Sequence, residues 1–285
     1  MHLLYYWRPD NYRRDRSFGF GYHLNQASPA LASVAPGESV WAFTRNRIGQ
    51  YALAAELVVR AVTRNPANYR YGAYRVWGDL ERSRYFDIDR APGVETLIRG
   101  LGVAARARVL AQSFQGHAAV RRIGQAEHEL LSAFAASLRE LERVGIYPED
   151  EFEARMLLGE EAQARRLDED EQAFSVRTRY LYDTVDRSRA RRHVEWLQEL
   201  YGGQCQICRL NPRDRYGHRL CHGHHIHWLS RGGEDEPWNL VLVCPTHHAA
   251  IHADDAAFDF ASLTFIFGNG LVEPVVLNSH LRRAA

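Results

Sequence analysis

Cys205-Gln206-Ile207-Cys208, Gly223-His224-His225-Ile226, Arg231-Gly232-Gly233, Trp238-Asn239-Leu240-Val241 and Cys244-Pro245-Thr246-His247-His248-Ala249-Ala250-Ile251-His252 follow one another in a single C-terminal window. All 4 cysteines of the chain lie there, mixed with histidines. Without a secretory signal, such clustering reads as metal binding and not as a disulfide framework. Cys205-x-x-Cys208 and Cys244-x-x-His247 have the knuckle spacing that puts two ligands on one tetrahedral ion. Three thiolates and one imidazole make a closed structural Zn²⁺ site, which supplies folding energy to a module with little core of its own.

A second ligand set is interleaved with the first. His248 and His252 stand four apart, which on a helix places both on one face. His224, ahead of the Gly232-Gly233 loop, can supply a third nitrogen. Three protein ligands leave coordination positions open, as catalytic sites require. His247 and His248 are adjacent and their roles can be exchanged in the sequence; the four-residue spacing favours His248 for the open site. Cys221 can replace a ligand, although its place four residues before His225 suits a strand position. His218, His222 and His227 are read as surface or substrate-proximal residues.

From Tyr201 to His252 the chain resembles the HNH (ββα-metal) endonucleases. The likeness rests on Cys205-x-x-Cys208, His224-His225-Ile226, Gly232-Gly233, Asn239-Leu240-Val241, Cys244 and His248-x-x-x-His252, in the family's order and approximate spacing. One departure is Cys244-Pro245-Thr246-His247, where many members carry a second Cys-x-x-Cys. The resemblance implies a β-hairpin that presents the His-His pair and a helix that presents the last ligands. It implies that His225 is the general base, that Asn239 braces the hairpin, and that His224, His248 and His252 hold one divalent ion. Imidazole-rich ligation accepts Mn²⁺, Co²⁺, Ni²⁺, Zn²⁺ and, less comfortably, Mg²⁺. Double-stranded DNA is the implied substrate. Cutting both strands takes two active sites or two visits, so a homodimer suits the reading. Nothing in this module reads bases, so selectivity must reside elsewhere in the chain.

Outward from the module, 285 residues leave room for a second domain and a connecting segment. The expected division is 1–115, 116–200 and 201–285. Net charge is only +1, and every basic residue other than histidine is arginine, which favours bidentate phosphate and guanine contacts. Charge is polarised: Glu149 to Glu171 is acidic and Arg177 to Arg192 is basic. Arg187 and Arg191 are candidates for lying along a phosphate backbone.

Val40–Phe43, Tyr51–Val62, Tyr74–Trp77 and Tyr85–Ile88 read as strands of a mostly antiparallel barrel or curled sheet, with a short helix over Glu95–Gly102. Pro36-Gly37-Glu38-Ser39-Val40-Trp41-Ala42-Phe43 with Tyr51 to Val59 resembles a PUA-like barrel of the EVE or SRA kind. That likeness implies a reader of modified bases flipped into an aromatic pocket, with Trp41, Trp77, Tyr22 and Tyr74 as pocket candidates. Coupled to the nuclease module, it implies a modification-dependent restriction enzyme. Leu130, Leu131, Phe134, Leu138 and Leu141 predict one amphipathic helix over Ile123–Val144. A charged helical stretch over Glu149–Arg166, a linker over Asp168–Glu171 and a helix over Arg187–Tyr201 follow. Leu263–Phe267 and Leu271–Leu277 flank Gly268-Asn269-Gly270 as a terminal hairpin. The predicted class is α+β: a PUA-like β-barrel, a helical linker and a zinc-stabilised ββα-metal domain. No stretch approaches eighteen uninterrupted apolar residues, and the first eight residues lack the order of a signal peptide. A cytoplasmic location without membrane contact is the resulting expectation.

Overall fold

The computed structural model describes residues 1–17, 20–103, 107–116, 119–141 and 187–283. The predicted helix over Glu149–Arg166, the linker over Asp168–Glu171 and the arginines at 177 and 179 lie outside them. The described chain is mixed α+β and divides into two units: Met1–Arg16 with Tyr22–Arg143, and Ser17–Gly21 with Val144–Ala285. None of its helices is long and apolar enough to cross a membrane.

The first unit is built on one sheet. Its elements are β1 (His2–Tyr6), α1 (Pro9–Ser17), β2 (His23–Gln26), β3 (Ser39–Arg45), β4 (Tyr51–Arg64), β5 (Tyr74–Gly78), β6 (Arg84–Tyr85), α2 (Glu95–Gly100), β7 (Val120–Ile123) and α3 (Gln125–Ala135). The strands run in the order β2-β5-β4-β3-β1-β7, with β6 also on β4. β4 carries the curvature. Its first half pairs with β3 and its second half with β5, with a register shift between Val59 and Ala61. Such a bulge bends a strand and raises its twist. The sheet nevertheless stays open, with β2 and β7 at its two ends. The expected closed barrel is therefore not found. Closure would require β2 and β7 to pair, and β7 instead lies antiparallel on β1, which is itself parallel to β3.

The sheet's apolar face packs α2 and α3 around Leu4, Trp41, Phe43, Leu53, Phe86 and Leu131. The single helix expected over Ile123–Val144 is shorter. Val120–Ile123 is a strand, Gly124 begins the helix with its N–H donated to the Glu127 carboxylate at 2.9 Å, and the helix stops at Ala135. Beyond it the chain turns extended, because Asp87 N–H donates to Arg139 O and Leu141 N–H to Tyr85 O. That edge pairing replaces the last helical turns.

The second unit follows the sequence reading closely. α4 (Arg187–Leu200), α5 (Pro212–Tyr216), β8 (His222–His225), β9 (Leu240–Val243) and α6 (Pro245–Asp254) precede a small antiparallel sheet of β10 (Ala257–Asp259), β11 (Thr264–Ile266) and β12 (Val272–Pro274). The predicted terminal hairpin is β11 and β12, with Gly270 at a φ of +87° in the turn. β10 adds a third strand, whose Phe258 joins Phe260 and Phe265 in the core.

Candidate metal and catalytic centre

β8 and β9 form a two-stranded ribbon in which His222 pairs with Val243, His224 with Val241 and His225 with Leu240. α6 starts at Pro245, directly after Cys244, and its first and last turns carry the remaining histidines. Strand, turn and helix thus bring two ligand groups out of one short segment.

The first group is Cys205, Cys208, Cys244 and His247, whose ligand atoms all lie within 4.8 Å of one another. Cys205 Sγ is 3.6 Å from His247 Nδ1, Cys244 Sγ is 3.1 Å from the same nitrogen, and Cys208 Sγ is 3.9 Å from Cys244 Sγ. A tetrahedral zinc with Zn–S near 2.3 Å and Zn–N near 2.0–2.1 Å needs ligand separations of about 3.5–3.8 Å. The four atoms fit that ion. His247 turns its other nitrogen to Glu273 of β12 at 3.4 Å, the kind of outer partner that orients a ligating imidazole. Burial pushes the Cys205 thiol up to about 12, so it ionises readily only beside a cation. Cys221 is pushed as high by burial but stands outside the quartet, immediately before β8.

The second group is His224, His248 and His252. His252 Nε2 is 3.2 Å from His224 Nδ1 and 3.3 Å from His248 Nε2. Three imidazole nitrogens at this spacing can hold one divalent ion. His222, two positions before His224, stacks its ring on His248 with centroids 5.1 Å apart. Trp228 lies against His252, and the Arg231 guanidinium sits 4.0 Å from the Trp228 centroid while donating to Asp255 at 2.8 Å. His247 and His248 thus fall into separate groups, as the four-residue spacing favoured.

His225 is fully buried, and its Nε2 lies 3.2 Å from Asp235 Oδ1. Asn239 is also fully buried, and its amide spans the loop after β8. Its Oδ1 accepts from His227 N–H, and its Nδ2 donates to His227 O and Glu234 O. The loop returns so tightly that a Cβ on Gly233 would lie 1.8 Å from His227 O. Gly233→Ala should therefore destabilise this unit by at least ~1–3 kcal/mol, the range for overpacking. Thermal unfolding with zinc saturating is the check, and an unchanged midpoint would refute the tight return.

The ribbon is braced from two directions. α4 packs against β8 so closely that a Cβ on Gly223 would lie 2.4 Å from Val194 Cγ2. From the other direction comes the strap of residues 275–281. Val276 N–H and Leu277 N–H donate to Gln206 O, while the buried Gln206 side chain accepts from Leu242 N–H of β9. His280 Nε2–H donates to Leu240 O at 2.8 Å and its Nδ1 meets the Tyr201 hydroxyl. Burial lowers the His280 pKa, which keeps it a neutral donor to β9. Asp235, Gln206 and His280 were not among the predicted site residues. Asp235 follows the Gly-Gly pair directly and had a sequence signal; the other two are distant in sequence from what they touch.

Of the three histidines read as surface or substrate-proximal, His218 is exposed and His222 half-buried. His227 is a correction: it is buried between Trp238 and Phe260.

The first-unit candidates occupy different settings. Trp41 is fully buried in the sheet core, its Nε1–H donated to His128 Nδ1 at 3.1 Å. His128 in turn stacks on His2. Trp77 is buried, donates to Thr63 Oγ1 at 2.8 Å and lies under Arg75. Tyr22 packs edge-on against Tyr85, with a φ of +50°. Tyr74 is half-buried beneath the Arg64 guanidinium. Arg191 is exposed on α4. Arg187 starts the same helix, and its side chain lies outside what is described.

The HNH endonuclease family model matches residues 205–254. No curated protein matches the chain. Among solved structures, a "Type IV phosphorothioation-dependent restriction endonuclease", ScoMcrA, aligns with 17% identity over 80% of this chain and 44% of its own, with a TM-score of 0.19. This chain therefore spans less than half of that protein, and at such a TM-score the likeness carries no structural argument. The chain carries an HNH endonuclease domain, the domain of a metal-using enzyme that acts on DNA.

Proposed function

We propose that this protein is a metal-dependent endonuclease that hydrolyses phosphodiester bonds in double-stranded DNA, with His225 as general base. The observation that carries the reading is the convergence of His224, His248 and His252 nitrogens within 3.2–3.3 Å, on the ribbon that also presents His225. A divalent ion held there would offset the charge that develops on the scissile phosphate and its 3′ leaving oxygen. His225 takes a proton from water as the water oxygen bonds to phosphorus and the bond to the 3′ oxygen breaks, its electron pair leaving on that oxygen. Neutral imidazole has the basicity for this near neutral pH. Asn239 holds the loop beside the base, and Cys205, Cys208, Cys244 and His247 hold a structural Zn²⁺.

The finer part of the proposal is that cutting depends on modified bases read by the first unit. Its support is a separate unit with arginines over aromatic rings, Arg64 on Tyr74 and Arg75 on Trp77, beside a nuclease domain that has no base-reading element of its own. Trp41, sealed in the core, suits a structural role better than a stacking one. Matched duplexes with and without modified cytosines, incubated with Mn²⁺, test this. Modified DNA should be cut at least ~10-fold faster. Equal cutting would remove modification dependence and favour a nicking or homing-type nuclease that reads sequence. DNA binding without cutting under any divalent metal would favour a non-catalytic, zinc-stabilised binding protein.

A further inference from the structure

We infer that Asp235 is a positioning residue for His225, holding the imidazole with its proton on Nε2 and leaving Nδ1 to receive the proton from water. The inference rests on the reading of His225 as the base. An ionised carboxylate can only accept hydrogen bonds. The 3.2 Å contact between His225 Nε2 and Asp235 Oδ1 therefore puts the imidazole proton on Nε2. The lone pair that remains is on Nδ1, and the tautomer follows from the partner's chemistry.

Two further observations point the same way. The pair is enclosed: His225 is fully buried and the Asp235 side chain is 11% exposed. In such surroundings a carboxylate acts strongly on the imidazolium that forms when the base takes its proton. Asp235 Oδ2 is also buried and makes no hydrogen bond among the described residues. A buried carboxylate with an unused oxygen costs stability, and the loop's own bonding does not account for it.

The loop delivers Asp235 rigidly. The neighbouring Glu234 carbonyl accepts from Asn239 Nδ2 at 2.8 Å, and Gly233 N–H donates to Trp228 O at 2.8 Å. The Asn239 amide thus reaches His225 at one remove, by fixing the segment that carries its carboxylate partner.

The test uses the full chain loaded with zinc, nicking supercoiled plasmid in the presence of Mn²⁺. Asp235→Ala and the near-isosteric Asp235→Asn should each lower kcat about 10- to 100-fold, the range for outer partners of site residues. KM, zinc content and thermal midpoint should stay at wild-type values. The asparagine is expected to fail because its amide either donates to Nε2, inverting the tautomer, or accepts without stabilising the imidazolium. His225→Ala/Asp235→Ala should be no slower than His225→Ala alone, since a residue that acts only through the base adds nothing once the base is gone. Wild-type kcat in Asp235→Asn beside an inert His225→Ala would remove Asp235 alone. Multiplying effects in the double variant, or rate loss that tracks zinc loss, would also overturn the inference. An active His225→Ala would remove the base, and the role of Asp235 with it.

Discussion

His225→Ala lowers the rate of DNA cleavage by about two to four orders of magnitude, the span assigned to a single general base. The loss appears in kcat, because the imidazole meets its proton only as the water attacks. DNA affinity should be unchanged, since phosphate contacts come from other residues and from the metal centre. Fold and zinc content should also survive. His225 belongs to neither ligand group, and the ribbon backbone that it shares with Leu240 does not need its ring. Gel-based nicking under single-turnover conditions, run beside filter binding and zinc analysis, separates these quantities. A variant that cuts at the wild-type rate would end the reading of His225 as base. A variant that loses zinc or unfolds would assign the ring a structural role.

Loss of the cysteine–histidine quartet has a larger effect of another kind. Cys244→Ser should abolish the cooperative unfolding transition of the second unit, and prolonged chelation should do the same. Cys244 ends β9 and opens α6, so its thiolate ties the ribbon to the helix that carries His248 and His252. Structural zinc in small modules contributes on the order of 10–16 kcal/mol of apparent binding energy, coupled to folding. That matches or exceeds the whole stability of a typical domain, about 5–15 kcal/mol. Zinc stoichiometry with limited proteolysis of the full chain is the measurement. Rapid digestion within residues 187–283 of the variant is expected, with cleavage activity lost as well. A variant as resistant as the wild type would show that the unit folds without the ion.

The local parts of this site were legible in the sequence because their chemistry is local. Two-residue knuckles, a four-residue histidine spacing and a Gly-Gly loop each fix geometry within a few residues. His224, His248 and His252 do converge, and His247 falls with the cysteines. Partners set by tertiary contact were harder to see. His280 reaches Leu240 from 40 residues away, and no pattern around either announces it. In the first unit the strands over Val40–Phe43, Tyr51–Val62 and Tyr74–Trp77 were readable from β-branched and aromatic runs. Whether the sheet closes is decided by which strands become neighbours, and the parallel pairing of β1 with β3 leaves no local trace. The helix expected to reach Val144 stops at Ala135 for a related reason: Arg139 and Leu141 are taken up by the backbone of Asp87 and Tyr85.

The strap of residues 275–281 bears on the order in which the enzyme comes into being. A ribosome makes the chain from Met1 onward, so Cys205 to His252 emerge before Val276, Leu277 and His280. There is consequently an interval in every round of synthesis when all seven candidate ligands are present but β9 still lacks its hydrogen bonds from the strap. A nascent chain can collect metal during that interval, while the ribbon that presents His225 awaits its final brace. For a protein whose activity is to break DNA, competence arrives late in its own manufacture.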